Sequence, residues 1–148
     1  MFAHSHPQHP TETNQWEPLY SKNDGHLNKV AELCTIFSSD TFNYMGNGNG
    51  CWEKLGRLAG NWHDLGKFSN AFQAYLKRSA EKDDDAHTSE VRGRVDHTSA
   101  GAQHAVESLP PGIGALLAYP IAGHHAGLLD GLGTGACLKA RLEKETPD

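Results

Sequence analysis

Three things are scarce in this 148-residue chain. Cysteine is the first: Cys34, Cys51 and Cys137 form an odd, widely scattered set with none of the paired spacings of a disulfide framework or a thiolate zinc site. A reduced, cytoplasmic setting is therefore expected. The second is a long apolar run. The longest, Ile113 to Ala122, is broken by Pro120 and falls far short of the roughly 20 residues that span a bilayer. The opening MFAHSHPQHP has neither the basic start nor the apolar stretch of an export signal, so a soluble protein with no membrane partner is expected. The third is positive charge. With 13 Lys and Arg against 18 Asp and Glu, the net charge of −5 excludes a protein that holds nucleic acid by bulk positive charge alone.

The length suits one domain over residues 1–148, by the usual measure of about 100 to 200 residues each, and a chain of this size buries enough surface to need no covalent staple. What the chain has in quantity is histidine, ten in all, and imidazole is both the commonest metal ligand and the side chain that titrates near neutral pH. Their placement depends on the helices. Residues 1–25 are polar, hold two of the prolines, Pro7 and Pro10, in the opening stretch, and read as an irregular lead-in. From His26 onward, Leu27, Val30, Ala31, Cys34 and Phe37 recur at helical spacing. His26, Val30, Leu33 and Phe37 follow at four, three and four residues, which points His26 into the fold.

After the GNGNG loop at 46–50, Trp52, Leu55, Ala59 and Trp62 mark a second helix ending near Gly66, with His63 on its buried side. Phe68, Phe72, Tyr75 and Leu76 suggest a third, followed by a charged, solvated loop from 77 to 94. A fourth runs from Asp96, as N-cap, to Leu109 before Pro110 and Pro111. A fifth spans Ile113 to His124 with a kink at Pro120, and a short amphipathic helix follows Thr134 as N-cap. No run alternates long enough to call a sheet, so the expected fold is all-α.

Four polar clusters fall at the ends or inner faces of these helices: His26, the doublet His63 and Asp64, His97, and the doublet His124 and His125. Each alone reads as an ordinary hydrogen-bonded histidine. Together, set beside glycines and small residues, they are costly unless hydrogen-bonded or metal-bound, and one shared ligand explains them all. Histidine with carboxylate suits manganese, iron, cobalt, nickel or zinc, with magnesium less natural. A carboxylate beside a histidine can bridge two ions roughly 3.5 to 4 Å apart, a pair able to activate water and to stabilise both oxygens of an in-line displacement at phosphorus.

The strings WHDLGKFSNAFQAYL (62–76), VDHTSAGA (95–102) and IAGHHAGLLDG (121–131), with AHS (3–5), WEPL (16–19) and HLNKVAEL (26–33), resemble the HD nuclease domain of the CRISPR-associated helicase-nuclease of type I systems. The resemblance runs from about residue 3 to about residue 131. It implies an HD-type helical bundle with a metal centre in its core. Asp64 would bridge two divalent ions, the first held with His26 and His63, the second with His97, His124 and His125. A metal-activated water would attack phosphorus. Lys67 would contact the scissile phosphate or the developing charge, although a lysine complementing a helix end is the plain alternative. Asp96 and Ser99 would orient ligands from behind, and for Asp96 the helix-cap reading stands beside this one.

The implied activity is cleavage of single-stranded DNA in CRISPR interference, with a helicase domain or subunit and an RNA-guided surveillance complex as partners. One departure stands out. The family carries a further aspartate well downstream of the paired histidines, and here the sequence runs to Asp148 with the polar tail EKETPD, so the C-terminal part of the family domain is expected to be absent and the first site to be weak. Asp130 falls where the family has an aspartate of its own. Two rivals remain: an HD-superfamily phosphohydrolase of nucleotides or cyclic nucleotides, and a truncated, non-catalytic metal-binding remnant. His4, His6 and His9 read as a flexible tract that binds metal only adventitiously, and Phe2 and Trp16 as residues that pack on the core.

Overall fold

A computed structural model describes residues 1–42, 50–81, 95–133, 135 and 137–147. Its framework is helical: α1 (His26–Phe42), α2 (Cys51–Trp62), α3 (Asn70–Glu81), α4 (Thr98–Ser108), α5 (Pro111–Gly123) and α6 (Leu138–Leu142). Between α2 and α3 the chain tightens into a 3₁₀ turn, Leu65–Phe68. The second helix therefore ends at Trp62, not near Gly66, and Phe68 belongs to the turn ahead of α3.

The lead-in is less irregular than its composition suggests. Two short strands, β1 (Phe2–His4) and β2 (Glu17–Pro18), pair antiparallel, so the expectation of no sheet is corrected at this one place. Strands of three and two residues are too short to print an alternating pattern on the sequence. Of the other expected segments, most of the GNGNG loop, residues 82–94 of the charged loop, and Thr134 lie outside the described residues. Residues 77–81 continue α3, and α6 begins after Cys137.

Helix α1 packs along α2, and α4 along α5. The first pair is close because α2 presents glycines: a Cβ at Gly60 would collide with the Ala31 backbone. Such a surface admits only small side chains opposite it, and the stripe of α1 that meets α2 is Ala31, Cys34 and Ser38. Leu33 and Phe37, expected on the inner face, are instead 66% and 70% exposed.

Among the described residues the buried apolar side chains form a small cluster of Ala3, Leu19 and Leu27 and two larger ones. One joins α4, α5 and α6 through Ala102, Ala105, Leu117, Ala118, Ile121, Ala122 and Leu138, with Leu55, Leu58 and Trp62 of α2 packed against it. The other seats the lead-in on α3 through Trp16, Phe72, Tyr75, Leu76 and Ala80, with the Phe2 and Trp16 rings edge to face at 5.3 Å. Phe2 and Trp16 thus pack as the sequence suggests. Among the described residues no helix is long and apolar enough to cross a membrane. The cysteines are free thiols.

Candidate metal centre

Every expected ligand sits at a helix end, where backbone groups lack intrahelical partners. His63 follows the last residue of α2 and its Nδ1 lies 2.7 Å from the Gly60 carbonyl. His124 follows the last residue of α5 and its Nδ1 lies 2.7 Å from the Ile121 carbonyl. The two are the same device: a carbonyl three residues back accepts Nδ1–H and leaves the Nε2 lone pair facing inward. His97 stands just ahead of α4, with Nδ1 3.4 Å from the Val95 carbonyl. His26 opens α1, with Nδ1 3.2 Å from Glu17 Oε2.

All of them converge on Asp64, which is 1% exposed. Its Oδ2 lies 3.2 Å from His26 Nε2, 3.1 Å from His63 Nε2 and 2.9 Å from Lys67 Nζ. Its Oδ1 lies 3.5 Å from His97 Nε2 and 3.4 Å from His124 Nε2, and is a buried oxygen without a hydrogen-bond donor. Burial alone pushes the Asp64 carboxyl up, but hydrogen bonds from His124, His26 and His63 in their protonated form and the charge of Lys67 outweigh it and hold the group ionised far below the usual carboxylate range. For His97, burial dominates and Lys67, His125 and His124 add to it against the opposing pull of Asp64, bringing the imidazole down to about 4 and keeping it neutral at pH 7.

The geometry asks for a cation. His26 Nε2 and His63 Nε2 are 3.2 Å apart, and both rings turn Nδ1 toward groups that only accept hydrogen bonds. Lone pair thus faces lone pair beside a carboxylate, an arrangement that positive charge between them relieves. His97, whose Nδ1 faces the Val95 carbonyl, brings its Nε2 to 3.1 Å from His125 Nε2. Two sets of donors lie within 4.8 Å of one another, Asp64 with His97, His124 and His125, and Asp64 with His26 and His63. They share Asp64, and their imidazole and carboxylate donors suit divalent transition metals.

Of the supporting residues, Lys67 is not placed as a surface cation at a helix end. It is 1% exposed, with Nζ on Asp64, 3.3 Å from the Ala3 carbonyl and 5.6 Å from the centre of the Phe72 ring. The turn that carries it lies tight against α4, because a Cβ at Gly66 would run into the His97 backbone. Asp96 is a cap: its Oδ1 accepts the N–H groups of Thr98 at 3.0 Å and Ser99 at 3.1 Å. Its Oδ2 takes the Ser99 hydroxyl at 2.8 Å, Arg141 at 3.0 Å and Lys144 at 2.8 Å, tying the C-terminal segment to α4. Burial raises the Asp96 carboxyl, and Lys144 and Ser99 more than reverse this, leaving it well below the ordinary range. Asp130 lies exposed and belongs to neither donor set, its carbonyl accepting the Leu138 N–H at 2.8 Å.

Two residues at the centre are not among the expected site residues, although the strings AHS (3–5) and WEPL (16–19) that hold them are part of the resemblance. Glu17, on β2, reaches His26, and its carboxyl is lowered because Lys29, His26 and His4 outweigh the upward push of burial. His4, on β1, packs its ring edge to face on His26 at 4.9 Å and brings Nε2 to 3.5 Å from Lys67 Nζ. It is built into the site and is not part of a loose tract. His6 and His9 stay in the lead-in, bridged to each other, with His9 on Glu12.

Over residues 28–138 the sequence matches the model of the family described as Cas3, HD domain, a stretch that holds His63, Asp64, His97, His124 and His125 and begins two residues after His26. No curated protein matches the chain significantly. With a match over well more than half its length and a metal-type histidine and aspartate cluster at its core, the chain belongs to the Cas3 HD domain family of metal-dependent phosphohydrolases and nucleases in the HD superfamily.

Proposed function

We propose that this chain, working as one domain, is a metal-dependent nuclease that cleaves single-stranded DNA in the interference step of a type I CRISPR system, alongside a helicase domain or subunit and an RNA-guided surveillance complex. The observation that carries the reading is Asp64: a buried, ionised carboxylate with an oxygen lacking a donor, ringed by the inward Nε2 atoms of His26, His63, His97 and His124. In this reading His26, His63 and Asp64 hold one divalent ion, and Asp64, His97, His124 and His125 hold a second, with manganese, nickel, cobalt, iron or zinc favoured over magnesium. Bound ions supply an activated water and charge stabilisation at phosphorus. Lys67 keeps Asp64 ionised and aimed from inside, because its burial turns its ammonium to the carboxylate and not to solvent. Asp96 and Ser99 fix the entry to α4 and so the position of His97. His124 and His125 lie on the exposed side of the cluster, the side from which a phosphodiester can approach.

The net charge of −5 favours one rival, hydrolysis of small nucleotide phosphoesters, since it offers a polymer no bulk attraction. Cleavage of circular single-stranded DNA and of cyclic nucleotides, each with manganese, nickel, cobalt or magnesium and a chelator control, separates them. Metal-dependent cutting of the DNA that is lost in Asp64→Ala is the expected result. Turnover of the cyclic nucleotides alone supports the rival, and a folded protein that binds metal without turnover supports a non-catalytic remnant.

A further inference from the structure

His63 and His124 take their tautomer from a carbonyl at a helix C-terminus. His26 has no such resource: it opens α1, and the first turn of a helix offers free N–H donors, not carbonyl acceptors. A neutral imidazole left alone there divides between two tautomers, and only the one with Nδ1–H presents its Nε2 lone pair to Asp64 and His63. The missing acceptor comes from outside the helix, nine residues back on β2. Glu17 Oε2 lies 3.2 Å from His26 Nδ1, while Lys29, one turn along the same helix, holds the other oxygen, Oε1, at 3.1 Å. His26, Glu17 and Lys29 thus form a closed bracket between β2 and the start of α1.

Donor atoms of His4, Glu17 and His26 also come within 4.8 Å of one another. An ion between them would meet two resident cations, Lys29 on Glu17 and Lys67 at 3.5 Å from His4 Nε2. The charge balance favours a hydrogen-bonded carboxylate over a third metal site.

We propose that Glu17 is a positioning residue: it accepts Nδ1–H of His26 and thereby fixes the tautomer and aim of His26 toward the first ion, with Lys29 fixing Glu17 in turn. The proposal rests on the metal-centre reading above for its consequence, but not for the tautomer itself. Two measurements on the full chain separate them. In the metal-free protein, ¹⁵N shifts of the His26 ring report a single Nδ1–H tautomer. Glu17→Ala is expected to convert it to a mixture, and Glu17→Gln, which keeps an acceptor oxygen, to preserve it. In calorimetric titration with manganese, Glu17→Ala weakens one class of site by about 10- to 100-fold and leaves the other unchanged, and Glu17→Gln recovers most of the loss. In a His26→Ala background, Glu17→Ala adds nothing further.

An unchanged His26 tautomer together with wild-type affinity in Glu17→Ala overturns the proposal. So does a fall from three bound ions to two, which assigns Glu17 a metal of its own. If neither the wild type nor any variant binds a divalent ion, the proposed function fails while the tautomer result still decides the role of Glu17.

Discussion

The two halves of the centre are built differently. His97 stands just ahead of α4, and His124 and His125 just past the end of α5, beside a core of small residues, Ala102, Ala105, Ala118 and Ala122, each 1% exposed or less. His26 belongs to a half closed from outside the helical core, by a two-strand lead-in that supplies Glu17, His4 and the Ala3 carbonyl held by Lys67. The first half is fixed by helix-to-helix packing, and its ligands sit within two short strings of sequence. The second is fixed by the apolar seating of Trp16 on α3 and of Ala3 and Leu19 against Leu27, and by a few polar contacts, between segments that share no periodicity. A site assembled in this way has one jaw built within the helical frame and one closed over it by the lead-in, with the Lys67 and Asp64 charge pair buried between them.

That contrast is sharpest at Lys67. Lys67→Met removes the buried partner of Asp64 and the tie to Ala3, so it is expected to destabilise the metal-free protein by about 3–5 kcal/mol in urea unfolding. Saturating manganese, by replacing the lost positive charge beside Asp64, reduces that loss; an equal loss with and without metal would break the link between Lys67 and the centre. Next comes the helical frame. Gly60→Ala forces α2 away from the Ala31 backbone and is expected to cost about 1–3 kcal/mol, with both classes of metal site weakened together because α2 carries His63 and Asp64 at its end. The same titration that splits the two sites in Glu17→Ala does not split them here.

Smaller effects follow at the edges. Native-state hydrogen exchange is expected to show the amides of Phe2 to Leu19 opening at lower free energy than those of α4 and α5, because the lead-in has little regular backbone pairing. Equal protection in both would erase the distinction between the jaws. Arg141→Ala is the smallest. Arg141 is 25% exposed, and Asp96 keeps Lys144 and its backbone donors, so the loss in thermal unfolding is expected to stay under about 1 kcal/mol.

Sequence and structure agree best where the ligand lies beside its own support. His63 and Asp64 follow an apolar period that ends at Trp62, and His124 and His125 follow another that ends at Gly123, so their helix-end positions are legible without a fold. Asp96 is legible as a cap for the same reason. Glu17 and His4 lie in strings that carry the resemblance, yet their place at the centre is not legible, because nothing local marks a carboxylate on a two-residue strand that meets a histidine nine residues on. Lys67 misleads for a different reason: a lysine near a helix end ordinarily reaches water, and only the lead-in folded over it makes it internal. Leu33 and Phe37 mislead because spacing shows which residues share a face but not what the neighbouring helix presents, and α2 presents glycines.

The shared role of Asp64 is the centre of this account, and counting bound ions tests it most directly. Calorimetric titration of manganese into wild type, His26→Ala, His125→Ala and Asp64→Ala, with circular dichroism to confirm that each is folded, is predicted to give two classes of site in the wild type. His26→Ala and His125→Ala each lose a different one, and Asp64→Ala loses both. A folded Asp64→Ala protein that retains either class at wild-type affinity would contradict it.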